Sequence, residues 1–372
     1  MHVLLTVPGL AKSSGGPTTV VQHLSECLVA TGAAVTVFTA TLQPGRTEVL
    51  PRDPRVKVVR GSSKELRELC HTTRGNGLVM HDFGLWLPAN HAAVTVGEEL
   101  GIPLVISPCG MLAPWALQHK RWKKRLAWWV YQKRDLLRAK MLIATGASEV
   151  RDLHRWSPGK PVALVPNGVA IPTIREQGTE IRGQRTVVFL GRIHPIKGLT
   201  HLVEAWSQVR PQGWQCVLAG PDEGGHQAEL ETLVRACRLE GEFRFTGLLG
   251  DEAKWELLRG ADLFVLPSFT ENFGVAAAEA LAAGVPVIAT RGTPWEELES
   301  QRCGWWVEVG VEPLAAALRA ATGLTDDIRR QMGLRGKRLV TAQYSWGRIA
   351  GEMLSAYKWV LGQNEKPACI RV

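Results

Sequence analysis

Residues 262–289 read Asp-Leu-Phe-Val-Leu-Pro-Ser-Phe-Thr-Glu-Asn-Phe-Gly-Val-Ala-Ala-Ala-Glu-Ala-Leu-Ala-Ala-Gly-Val-Pro-Val-Ile-Ala. The stretch predicts strand, loop, helix and strand. An apolar run at 263–266 stops at Pro267, and Ser268 and Thr270 supply loop chemistry. Strong helix formers fill 275–283, Gly284 sits where a helix ends, and Pro286 closes the turn before the next apolar run. Glu271 and Glu279 are its only carboxylates after Asp262. On one continuous helix they would lie about 80° apart in projection and roughly 12 Å apart along the axis, a poor acid–base pair. Asn272-Phe273-Gly274 interrupts that helix, which puts Glu271 on the loop and Glu279 two turns in. The first turn of such a helix offers unpaired N–H groups and a positive dipole end to a phosphate. Both glutamates would then be free to accept hydrogen bonds from sugar hydroxyls. The same residues also suit a solvated helix carboxylate and a helix-start acid favoured by the dipole.

The remainder of the chain repeats this grammar. A first strand at 2–7 leads into the glycine-rich loop 8–17, with Gly15 and Gly16, and then a helix at 18–30. This unit matches neither GxGxxG nor GxxxxGK[ST], so a phosphate loop and a plain turn both remain open. Apolar runs recur at 35–38, 56–59, 78–80, 104–106, 141–144 and 162–165. A second series follows at 186–190, 215–219, 243–246, 263–266, 286–289 and 305–309. Strands alternating with helices predict parallel sheets covered on both faces, twice over, with ligands at the carboxyl ends of the strands. The expected division is a first domain at 1–170, a polar linker at 171–184, a second domain at 185–345, a helix at 346–362 and a tail at 363–372.

With 372 residues, 45% hydrophobic and 21% charged, the chain is a folded protein of about two domains rather than a disordered one. No apolar run reaches the length of a membrane span, and the N-terminus runs straight into a strand pattern. Seven scattered cysteines without a CxxC fit a reducing compartment, so a cytoplasmic location is expected. Residues 1–180 carry 22 Lys and Arg against 13 Asp and Glu, whereas 181–372 carry 22 of each. The whole +9 excess therefore lies in the first half, and most of it in 119–140, where nine basic residues face the single acid Asp135.

The loop after the run at 186–190 is Gly191-Arg192-Ile193-His194-Pro195-Ile196-Lys197-Gly198. Arginine grips phosphate oxygens bidentately and lysine acts as a point charge, so a pyrophosphate is its natural occupant. A basic surface loop has the same composition.

Gly191-Arg192…Lys197-Gly198, Leu218-Ala219-Gly220, Phe245-Thr246-Gly247 and the Glu271/Glu279 pair, in this order and spacing, resemble glycosyltransferase family 4. Each motif alone is weak; four in order across one Rossmann half are specific. The resemblance covers most of the chain, including Tyr344-Ser345-Trp346 before a last helix that in such enzymes crosses back onto the first domain. It implies α/β architecture of the GT-B type: two Rossmann-like doubly wound domains with the active site in the cleft between them. It further implies a retaining transferase moving a sugar from a nucleotide diphosphate sugar (UDP- or GDP-sugar) to a hydroxyl of a glycan or lipid-linked saccharide, in cell-surface polysaccharide or lipopolysaccharide biosynthesis. Arg192 and Lys197 correspond to the pair that holds the leaving diphosphate. Glu271 corresponds to the carboxylate on the donor sugar, with Asn272, Phe273 and Gly274 offering N–H groups beside it. Glu279 corresponds to the ribose-binding acid, and Gly15, Gly16 and Gly191 to loops that approach the phosphates.

No cofactor is implied, since the nucleotide sugar is a co-substrate, and the absence of any Asp-x-Asp predicts no metal requirement. Many relatives carry a histidine after an N-domain strand, where this chain reads Ser107-Pro108-Cys109-Gly110-Met111. His81 and Asp82, at an earlier strand end, are the substitute candidates for substrate contact. At 114–140, Trp122, Leu126, Trp129, Lys133 and Leu136 fall at helical spacing, with Lys123, Lys124, Arg134 and Arg138 off the stripe. That predicts an amphipathic helix, suited either to an anionic membrane surface or to packing its tryptophans on the core. Nucleic acid is not expected as a partner, because no recognition motif accompanies the basic segment. Two alternatives remain: another two-Rossmann enzyme, such as an epimerase or phosphorylase, or a non-catalytic binding protein.

Overall fold

The computed structural model describes residues 1–11, 16–40, 48–73, 75, 77–118, 120–171 and 184–371. The chain divides into two units, Met1–Gly168 with Trp346–Val372, and Val169–Ser345. Most of the expected linker, residues 172–183, lies outside the described residues, as does Gly15.

The first unit is built on strands β1 (His2–Val7), β2 (Ala34–Thr39), β3 (Lys57–Arg60), β4 (Leu78–Phe83), β5 (Leu104–Ser107), β6 (Met141–Ala144) and β7 (Val162–Leu164). Their order in the sheet is β7-β6-β5-β4-β1-β2-β3, all parallel, and the short strand Ile370–Arg371 adds antiparallel to β7. Every residue of β4 is buried, the mark of a strand covered on both faces. One face is covered by helices Gly16–Ala30 and Trp346–Val360, which bring Val21, Leu24 and Leu28 together with Ile349, Ala350, Met353 and Tyr357. The last helix thus supplies an apolar layer that the N-terminal strands need. Helices Ser63–Thr73 and Pro88–Glu99 cover the opposite face through Leu66, Cys70, Ala93 and Val94.

The second unit carries β8 (Arg185–Leu190), β9 (Trp214–Ala219), β10 (Phe243–Gly247), β11 (Leu263–Leu266), β12 (Val287–Thr290) and β13 (Gly304–Val307) in the order β10-β9-β8-β11-β12-β13. All are parallel. The winding reverses between β8 and β11, which are neighbours in the sheet, so the loops at their carboxyl ends flank the switch-point crevice where open α/β sheets take ligands. The quoted stretch forms β11, its loop, the helix Val275–Ala282 and β12, as its composition predicts.

The basic segment departs from the single expected helix. Arg121–Ala127 and Lys133–Arg138 are α-helical, but Trp128–Gln132 between them is a wider π-helical stretch. The inserted width rotates the second helix relative to the first. The predicted stripe is therefore split: Leu136 is buried, whereas Trp122 is 68% and Trp129 76% exposed. Trp128 packs instead, edge-on against Trp156.

Candidate active site

The site is assembled where β8 and β11 end. After β8 the chain makes one 3-10 turn at Pro195–Lys197, steadied by the Ile196 N–H donating to His194 Nδ1 at 3.2 Å. Gly198 follows at φ 64°, and a Cβ there would stand 2.1 Å from the Pro267 carbonyl oxygen. Only glycine fits a left-handed backbone pressed that close to the next loop. The Phe269 N–H donates to the Ile196 carbonyl at 2.9 Å, tying the two loops directly. Gly220, after β9, is under the same constraint, since its Cβ would lie 1.8 Å from the Gly191 carbonyl oxygen.

Lys197 and Glu271, separated by 74 residues, meet across this crevice. Lys197 Nζ donates to Glu271 Oε1 at 2.5 Å, and both side chains are largely buried, 14% exposed each. Ser268 Oγ donates to the same oxygen at 2.8 Å, and the Glu271 N–H donates to the Gly292 carbonyl at 2.8 Å. Glu271 is therefore oriented from both backbone and side chain, while its Oε2 has no protein partner among the described residues. Arg192, 49% exposed, pairs with Glu223.

Phe273 is a wedge rather than a surface residue. Its ring, 5% exposed, packs against Trp295 and Tyr344, and Trp295 Nε1 donates to its carbonyl at 2.6 Å. That anchor holds Gly274, at φ 77°, as the entry to the helix Val275–Ala282; the Ala277 N–H donates to the Gly274 carbonyl at 2.9 Å, and the Val275 and Ala276 N–H groups at the helix start have no intrahelical acceptor. Asn272 stands half-buried on the loop just before the wedge. Two turns on, Glu279 accepts from Lys254 Nζ at 2.7 Å. Burial pushes the Glu279 carboxyl above its usual range, and the Lys254 ammonium opposes that shift.

In the first unit, His81 is fully buried with both ring nitrogens engaged: Nδ1 lies 2.5 Å from the Tyr357 hydroxyl and Nε2 2.7 Å from Ser107 Oγ. Burial pushes its imidazole down to about 3. Such a residue ties β4, β5 and the last helix together, with both of its ring nitrogens occupied by protein groups. Asp82 faces the opposite side, accepting from Thr6 Oγ1 at 2.6 Å and from Asn90 Nδ2 at 2.8 Å. Burial pushes its carboxyl up to about 7, against those two hydrogen bonds. Asp82 also borders a cavity of about 210 Å³ shared with Thr6, Phe38 and Leu66. Gly16 is exposed at the start of its helix. The Ser107–Met111 turn is held by Glu149 Oε1, which accepts from the Gly110 N–H at 2.6 Å.

Ser268, Glu223 and Lys254 are the residues that sequence reasoning missed. Ser268 was legible in principle, three residues before Glu271; the other two are far in sequence from their partners.

Two Rossmann-like parallel sheets, with cations and carboxylates gathered at the switch point of the second, define a glycosyltransferase of the GT-B class. Residues 170–338 match the Glycosyl transferases group 1 family, and residues 15–168 match the Glycosyl transferase 4-like domain. The chain belongs to this family, family 4 of the glycosyltransferases, and is a retaining, nucleotide-sugar-dependent enzyme. It is 25% identical to the D-inositol 3-phosphate glycosyltransferase of Xylanimonas cellulosilytica, over 95% of this chain and 93% of that one. It is 29% identical to the phosphatidyl-myo-inositol mannosyltransferase of Mycobacterium tuberculosis, over 67% of this chain and 68% of that one. Among solved structures, Anabaena HepE in complex with UDP and glucose superposes with a TM-score of 0.74 at 18% identity, covering 96% of this chain and 99% of that one, a likeness of fold.

Proposed function

We propose that this enzyme transfers a sugar from a UDP- or GDP-sugar to a hydroxyl of a glycan or lipid-linked saccharide in cell-surface polysaccharide synthesis, working without a metal ion. The observation that carries this reading is the Lys197–Glu271 pair at the β8/β11 crevice, beside the entry of the helix Val275–Ala282. Arg192 and Lys197 grip the donor diphosphate, with Gly191 allowing the backbone to approach and the N–H groups around Asn272, Phe273 and Gly274 adding to the positive field. Glu271 takes the sugar hydroxyls and Glu279 those of the ribose.

The bond from the anomeric carbon to the β-phosphate oxygen breaks, and its electron pair stays with the phosphate. The acceptor oxygen bonds the same face of that carbon and its proton passes to the departing phosphate. Charge builds on the leaving oxygen as an oxocarbenium-like carbon forms, and preorganised cations stabilise that charge. Asp82, at the rim of the first unit's cavity, is the remaining candidate for acceptor contact.

The lipid-linked alternative is supported by the exposed Trp122, Leu126, Trp129 and Val130, which share one segment with Lys123, Lys124 and Arg125. Aromatic anchors amid cations suit the headgroup region of an anionic bilayer, placing the enzyme peripherally on the inner face of the cytoplasmic membrane. The relative named for a phosphatidyl-inositol acceptor agrees with this. Among the described residues no helix is long and apolar enough to cross a membrane.

A thermal-shift panel of nucleotide sugars, with and without chelator, tests the donor. A rise in melting temperature with one UDP- or GDP-sugar, unchanged by chelator, is expected. A shift only with added divalent metal overturns the metal-free clamp, and no shift with any nucleotide sugar overturns the donor assignment.

A further inference from the structure

Lys254 belongs to none of the motifs that place the donor. It lies on the helix Asp251–Arg259, 25 residues before Glu279 in sequence, and reaches across to a different helix to meet that carboxylate at 2.7 Å. Both side chains are mostly buried, 22% and 15% exposed. The ammonium is held in turn, 3.9 Å from the Asp251 carboxylate and 5.2 Å from the centroid of the Trp255 ring. A single surface pair of this kind contributes little to stability. Here the carboxylate is shielded, and Lys254 occupies only Oε1. Among the described residues Oε2 has no protein partner, so one side of Glu279 is fixed and the other remains able to accept from a ligand.

A carboxylate that binds vicinal hydroxyls must be ionised and correctly rotated, since a protonated acid loses acceptor capacity on one oxygen. Burial works against ionisation, and the facing charges are Lys254, which favours it, and Asp251, which opposes it. We propose that Lys254 is a positioning residue of the donor site: by clamping Oε1 it presents Glu279 to the ribose hydroxyls and so sets the preference for ribonucleotide over 2′-deoxyribonucleotide donors. The proposal rests on the ribose-binding role assigned to Glu279.

The test measures binding of UDP, GDP and ADP by calorimetry, takes whichever binds tightest, and compares it with its 2′-deoxy counterpart. The proteins are wild type, Lys254→Met, Lys254→Arg and Glu279→Gln. A hydrogen bond to a charged group corresponds to about tenfold or more in affinity, which sets the scale. Wild type should prefer the ribonucleotide by about that factor. Lys254→Met should lose most of the preference by weakening ribonucleotide binding alone, Lys254→Arg should restore it, and Glu279→Gln should abolish it. In Lys254→Met, ribonucleotide affinity should also begin to fall at a higher pH than in wild type, because Glu279 loses its cation.

Equal weakening of both nucleotides in Lys254→Met, as a lysine contacting base or phosphate would give, overturns the proposal, as does no weakening. If Glu279→Gln loses the preference while Lys254→Met keeps it, Lys254 alone is misassigned. If Glu279→Gln keeps the preference, the ribose role of Glu279 falls, and the proposal with it. Retained ribonucleotide binding by Lys254→Arg together with an unchanged melting temperature in Lys254→Met separates positioning from misfolding.

Discussion

Lys197 Nζ and Glu271 Oε1 stand 2.5 Å apart, joining the loop after β8 to the loop after β11. The cation proposed for the leaving phosphate and the acid proposed for the donor sugar thus neutralise each other across the crevice. On the proposed roles, a diphosphate arriving beside Lys197 would compete with Glu271 for the ammonium and free Glu271 to accept from the sugar. Lys197→Ala should lower transfer by about 10² to 10³, the scale of losing one preorganised donor to a developing oxyanion. Steady-state kinetics beside a thermal melt check this; near-wild-type turnover in a folded variant removes Lys197 from the clamp.

Ser268 should matter through Glu271 rather than through substrate. Its hydroxyl shares Oε1 with Lys197, so Ser268→Ala leaves the carboxylate one hydrogen bond looser. We expect transfer to fall about tenfold, with the binding of free nucleoside diphosphate unchanged, because that ligand lacks the sugar Glu271 holds. Parallel kinetics and calorimetry read the split; a matching loss in diphosphate affinity would place Ser268 elsewhere.

His81 and Asp82 are neighbours on β4 whose buried side chains shift in opposite directions, to about 3 and about 7. For His81 the unfolded chain binds more protons between about 3 and the ordinary imidazole value of 6.5, so stability rises with pH across that range. For Asp82 the native chain binds more protons from about 4 to 7, so stability falls with pH there. The two slopes, each at most about 1.4 kcal/mol per pH unit, oppose each other between roughly pH 4 and 6.5. In that window Asp82→Asn should show stability rising with pH more steeply than wild type. His81→Gln should show it falling. Urea melts at pH 4.5, 5.5 and 6.5 measure both, and parallel profiles for all three proteins would contradict the assignment.

Replacing Lys123, Lys124 and Arg125 by Ser should weaken binding to phosphatidylserine-containing vesicles about a hundredfold, at about 1 kcal/mol per charge near the surface. Trp122→Ser with Trp129→Ser should weaken it further without affecting the melt, since both rings already face solvent. Vesicle co-sedimentation that is indifferent to both sets would show the segment to be merely solvated.

Much of this site was legible locally. The helix formers at 275–282 and Gly274 before them place a helix entry, and the spacing of Glu271 and Glu279 puts one acid on the loop and one on the helix. The β4 residues read differently. A histidine and an aspartate at a strand end look available, yet the strand is central and covered on both faces, so its polar side chains are enclosed and partnered. The Trp122, Leu126 and Trp129 face stays together and exposed, but its continuation to Leu136 is lost, because the π-helical turn at Trp128–Gln132 breaks a periodicity that assumes uniform 3.6-residue winding.

Strand and helix identity, the two-Rossmann plan and the order of the donor motifs were determined by the sequence itself, because hydrophobic period and turn chemistry act over a few residues. Pairings came only with the tertiary structure: Lys197 with Glu271, Lys254 with Glu279, His81 with Tyr357. Charge pairing and burial depend on separation in space, and the pairing of β8 with β11 in the sheet brings together loops that are some seventy residues apart along the chain.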